Sequence, residues 1–196
     1  GTNGLSFDHT APAVSGDINI NAKCAGGKSC TQGGARRVWV GIKGLEPIVP
    51  ASDPASGPLY VLIGQDGYHP NNHYLTPASI ARLQQLAALY RQRFPNDLPL
   101  HLNDASLERG GLFDIYWQNP NMGTNRTIWW TPPHREHRRG TVIDVRANKA
   151  AGAVPNNPGV RSWFETMITN LPGSFLLESQ GTSNEHYHIR LMGVAQ

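Results

Sequence analysis

Apolar positions recur at helical spacing in two stretches of the chain. Between Thr76 and Pro95, the residues Ile80, Leu83, Ala87, Tyr90 and Phe94 share one stripe, behind a capping threonine and a proline at Pro77 suited to a first helical turn. This predicts a helix whose stripe is core and not a cofactor site. A second helix is predicted over residues 159–170, with Val160, Phe164, Met167 and Leu171 along one side and Pro172 ending it. Elsewhere the pattern shortens to alternation or brief apolar runs. Residues 17–22, VWVGIKGLEPIVP from Val38, 59–64, LPLHL from Leu98, 141–145, 174–177 and 186–191 read as extended segments, and IWWT at 128–131 leads into the 133–145 stretch. Helices and strands segregate with no βαβ rhythm, so the predicted class is α+β, a mostly antiparallel sheet with flanking helices. Residues 1–66, rich in Gly, Ser, Thr and Asn at their start, read as a β-rich N-terminal extension or partial module, and residues 67–196 as the main domain.

Composition narrows this picture a little. No apolar run exceeds a few residues, so no transmembrane segment is expected. No signal-peptide pattern leads the chain, and the start at Gly1 leaves room for a mature or trimmed form. The formal charge of +3 favours polyanionic surfaces only weakly, although Arg135, Arg138 and Arg139 cluster. Without interleaved stacking aromatics or a known motif, no specific nucleic-acid partner is expected. Cys24 and Cys30 lack the CxxC spacing and sit in a Gly-rich loop, which reads as a small disulfide in an oxidising compartment, periplasmic or extracellular.

The chemistry concentrates in two places. PHREHRRGTVIDV, beginning at Pro133, carries His134, His137 and Asp144 on a turn feeding a strand, and EHYHIRL carries Glu185, His186 and His188. Four of the eight histidines fall here. Strand alternation puts Val142 and Asp144 on one face, opposite Thr141, Ile143 and Val145. It likewise sets His186, His188 and Arg190 against Tyr187, Ile189 and Leu191. A buried Asp beside imidazoles needs a strong partner, and a zinc ion held by His137, Asp144 and His188 supplies one while leaving a fourth position for water. Glu185 is the candidate general base, yet in a regular strand it faces away from His188 and reaches the site only ahead of the strand or in a bulge. His186 faces the site without that assumption and is suited to positioning water or steadying an oxyanion.

His137, six residues, Asp144 and a late Glu-His-Tyr-His resemble the LAS zinc peptidases. That group contains D-alanyl-D-alanine carboxypeptidases, VanX-type dipeptidases, penicillin-insensitive murein endopeptidases and the hedgehog signalling domain fold. The resemblance covers roughly residues 100–191 and implies zinc on His137, Asp144 and His188. His134 and Gly140, flanking the first ligand, and the Ser106-Leu107-Glu108-Arg109-Gly110-Gly111 segment are most similar to the murein endopeptidase branch. There they imply a wall of a substrate cleft, with Ser106, Arg109 and His134 on the substrate side. Arg109 is equally suited to gripping a substrate carboxylate or carbonyl and to bracing its own loop. Ser183 stands where that branch tends to carry a histidine, and Glu185 is closer to the carboxypeptidase arrangement. The expectation is a zinc metallopeptidase acting on peptidoglycan peptide, at a bond involving a D-amino acid. Its rivals are a non-catalytic zinc module serving a cell-wall or protein interaction, and a metal-free wall- or nucleic-acid-binding protein. The sequence carries no signal for an oligomeric state.

Overall fold

The computed structural model describes residues 15–21, 35–55, 57–64, 71–111, 134–147, 154–155 and 157–191. In chain order, β1 (Gly16–Asn21) and β2 (Ala35–Val40) form an antiparallel ribbon. The short strands β3 (Glu46–Pro47), β4 (Ser52–Asp53) and β5 (Gly57–Pro58) follow, then β6 (Tyr60–Leu62) and β7 (Tyr74–Leu75). After helix α1 (Pro77–Arg93) come β8 (Leu100–Leu102), a 3-10 turn (His134–Arg139) and β9 (Val142–Arg146). Helix α2 (Pro158–Asn170) and the strands β10 (Ser174–Glu178) and β11 (His186–Arg190) complete the set.

The principal sheet has the order β10-β11-β9-β8-β6, which sets β9 in its middle. All its pairings are antiparallel except β6 with β8, so the class is α+β with a mostly antiparallel sheet. The boundary drawn near residue 66 falls between β6 and β7, and β6 is nonetheless an edge strand of this sheet. The run VWVGIKGLEPIVP does not form one strand. β2 stops at Val40 and pairing resumes only in β3, because the chain turns through Gly44 at φ +81°. Gly41 also runs so close to the 105–111 loop that an added Cβ would stand 2.9 Å from the Arg109 carbonyl oxygen.

Both helices begin as their sequences dictate. The Thr76 hydroxyl accepts the Ser79 N–H at 3.2 Å, and the Asn157 side chain accepts from Gly159 N at 2.9 Å, each ahead of a proline at the first helical position. Leu83, Leu86, Ala87 and Tyr90 of α1 and Val160, Phe164 and Ile168 of α2 are buried in one core with Ile143, Val145, Tyr187 and Ile189 of the sheet. Tyr90, Phe164 and Tyr187 carry the seam: ring centroids lie 5.8 Å apart for the first pair and 5.3 Å for the second, both edge-on. Ile168 replaces Met167 as the third fully buried residue of α2, Met167 being only partly covered. The odd residues of β9 and β11 thus face the helices, and the even residues are left for the opposite face. Cys24, Cys30 and the 128–131 segment lie outside the described residues.

Candidate metal centre

Antiparallel register does most of the assembly. His188 on β11 lies directly opposite Asp144 on β9, both on the face turned away from the helices. That register is held by the apolar side, since a one-residue slip would drive Tyr187 and Ile189 out of the core. His188 Nδ1 sits 3.0 Å from Asp144 Oδ1.

His137 arrives from the 3-10 turn. Gly140 closes that turn at φ +67°, its N–H donating to the His137 carbonyl at 3.2 Å and its carbonyl accepting from Thr76 N at 2.8 Å. A Cβ there would come within 2.3 Å of the Leu45 side chain and 3.3 Å of Leu75 Cα, so both the conformation and the packing call for glycine. From the other side, Gly111 N–H donates to the Arg138 carbonyl at 3.0 Å. The loop containing Ser106, Arg109 and the paired glycines therefore backs the turn that carries His137. His137 Nε2 ends 3.4 Å from Asp144 Oδ1, and its ring meets that of His188 edge to face with centroids 4.9 Å apart.

His137, Asp144 and His188 are all buried, with donor atoms within 4.8 Å of one another, and form a group that could hold a metal ion. The spacing fits. Ligand atoms at about 2.0–2.2 Å from a tetrahedral ion lie roughly 3.3 Å apart, against the 3.0 and 3.4 Å found here. Burial pushes the Asp144 carboxyl upward, but the imidazoles of His137, His188 and His186 more than offset this and hold it well below the usual carboxylate range. The site thus keeps a buried carboxylate among imidazole nitrogens, and neutral imidazoles beside a carboxylate are donors that suit a divalent cation.

His186 shares this face. Its Nδ1 donates to the Asn184 carbonyl at 2.7 Å, and its Nε2 lies 3.5 Å from Asp144 Oδ2 and 3.4 Å from Glu178 Oε2. A carbonyl can only accept, so Nδ1 holds the proton and Nε2 is the nitrogen turned toward the carboxylates. Glu185 is treated differently. It precedes β11 by one residue, on the opposite parity from His186, and its carboxylate is taken up by Arg161 of α2 and by the Gly181 N–H at 2.7 Å. The carboxylate expected as a general base is thereby held on the helix side of the sheet. Ser106 is fully buried and bridges Tyr74 through its backbone, with N–H to carbonyl distances of 3.0 and 3.1 Å. Arg109 accepts the Ile42 N–H on its carbonyl at 2.8 Å. His134 opens the 3-10 turn.

Two carboxylates that sequence reasoning passed over lie at this site. Glu178 pairs across from His186, one residue past the predicted end of its strand. Glu136 grips Arg190 and places Oε2 3.6 Å from His188 Nε2. Arg190 had been set on the same face as the histidines by alternation, which was the available clue to an acidic partner there. No family model matches the chain, and no match is found among curated proteins or solved structures.

Proposed function

We propose that this chain is a zinc-dependent peptidase hydrolysing peptidoglycan peptide bonds that involve D-amino acids, as a murein endopeptidase or a D,D-carboxypeptidase. The observation that carries the proposal is the convergence of His137, Asp144 and His188, from three separate elements, into a buried set of two nitrogen donors and one oxygen donor. Three protein donors of this chemistry match a zinc site that keeps one position for reaction, whereas a purely structural site normally fills four. A zinc ion held there supplies Lewis-acid chemistry, polarising a carbonyl and making water a nucleophile near neutral pH.

The chain's own residues then divide the remaining work. Asp144 and the two imidazoles fix the position of the cation. His186, with its tautomer set by Asn184, is the proton-handling group on the reacting face, and its Nε2 stands 3.4 Å from Glu178 Oε2. Glu185 anchors the start of β11 to α2 through Arg161. Ser106, Arg109 and His134 enter as substrate-side residues through the motif resemblance, which is also the ground for the peptidoglycan substrate and for a periplasmic or extracellular setting.

One observation favours a second reading, a non-catalytic zinc module. The engagement of Glu185 by Arg161 removes the expected base from the metal face. Zinc content and peptide release from purified murein, measured on wild type and His137→Ala, decide between the two. The peptidase reading expects stoichiometric zinc and hydrolysis in wild type, with both lost in the variant. Stoichiometric zinc without hydrolysis of cross-linked or D-Ala-D-Ala substrates would establish the module. A His137→Ala variant that keeps zinc and activity would remove the centre altogether.

A further inference from the structure

The two nitrogens of His188 face different carboxylates. Nδ1 is turned to Asp144 at 3.0 Å, and Nε2, on the other side of the ring, is 3.6 Å from Glu136 Oε2. Nε2 is buried and has no hydrogen-bond partner among the described residues. An imidazole that ligates through Nδ1 must carry its single proton on Nε2, and a buried N–H without an acceptor is costly.

Glu136 is the residue beside it, and it is held there. Arg190, two residues beyond His188 on the same face of β11, donates from Nε to Oε2 at 2.5 Å and from Nη2 to Oε1 at 3.1 Å. This two-point grip fixes where the carboxylate sits beside the His188 ring. The 3.6 Å separation is a few tenths of an ångström beyond a hydrogen bond. Glu136 is not placed as a fourth ligand, because its oxygen faces the ring nitrogen turned away from Asp144.

We infer that Glu136, clamped by Arg190, is the positioning carboxylate of the metal centre: it accepts the Nε2–H of His188 and so fixes the ring's tautomer and orientation. Metal-bound histidines whose outer N–H meets a carboxylate bind more tightly, and loss of that partner typically costs about 10–100-fold in metal affinity. Arg190 acts one step further out, by holding Glu136. The inference rests on reading His137, Asp144 and His188 as a metal centre.

The test is zinc affinity by chelator competition on the full chain, for wild type, Glu136→Ala, Glu136→Gln and Arg190→Gln. It is paired with the cobalt(II) absorption spectrum and the melting temperature of each metal-free protein. Glu136→Ala is expected to weaken zinc about 10–100-fold and to alter the cobalt spectrum. Its metal-free melting temperature should move little, since the pair it breaks is half-exposed. Glu136→Gln keeps an acceptor oxygen and should recover part of the affinity, and Arg190→Gln should fall between wild type and Glu136→Ala. In zinc-loaded wild type labelled with 15N-histidine, the His188 ring N–H should exchange slowly with water, and in Glu136→Ala rapidly. If wild type binds zinc and all three variants bind it within twofold, the inference is overturned and the metal centre stands. If wild type binds no zinc, the centre and the inference fall together.

Discussion

Glu185 and Arg161 form a pair buried between β11 and α2, with side chains 8% and 16% exposed. Removing one member strands the other in a dry seam, which typically costs on the order of 3 kcal/mol. Glu185→Ala is therefore expected to lower the urea midpoint substantially while keeping zinc content and turnover per folded molecule. A variant that keeps its midpoint but loses turnover would restore Glu185 as the base. Strand alternation had already turned this residue from His188, and the structure follows alternation with no bulge to override it. His137, Asp144, His186 and His188 were legible because alternation orients a strand residue without knowledge of its neighbours. Glu136 was not, since a 3-10 turn has no such two-residue rule, and Glu178 lay just past the predicted end of its strand. Arg161 was hidden because a salt-bridge partner 24 residues away leaves no local pattern.

At the level of elements, both helices could be read because caps, prolines and a 3.6-residue stripe are local signals. The parallel pairing of β6 with β8 could not, since it depends on what α1 allows to meet across the chain. The seam where α2 meets the sheet makes a pH prediction. Burial, and then the hydrogen bond from Tyr187 to Glu165 at 3.0 Å, raise the Tyr187 hydroxyl above its ordinary value. Burial and Asp97 do the same for Tyr90. A raised acid means that the folded state holds its proton longer than the unfolded chain. The associated stability is complete below about pH 10, the ordinary tyrosine value, and is lost as pH rises above it toward the folded value. Urea midpoints should thus fall above pH 10, with tyrosinate absorbance at these positions appearing together with unfolding. Tyr187→Phe should flatten the slope, and an unchanged slope would put its origin elsewhere.

At the largest scale, among the described residues, the sheet separates two kinds of work: the helix side supplies the apolar core and the opposite side gathers charge. Among the described residues, no helix is long and apolar enough to cross a membrane. A ligand that binds only the folded form stabilises it, by about 4 kcal/mol at a thousandfold excess over Kd. Zinc should therefore raise the melting temperature and a chelator should reverse the rise. Equal melting curves in both conditions would count against the site. Asp144 and His188 lie 44 residues apart in sequence, with α2 and β10 between them. An ion shared by the two would thus serve as a reversible staple across that span, shrinking the freedom of the unfolded chain much as a covalent cross-link does. Loss of the ion would then show first as faster proteolytic cutting between β9 and β11, making nicking rate a gauge of how much metal the protein is carrying.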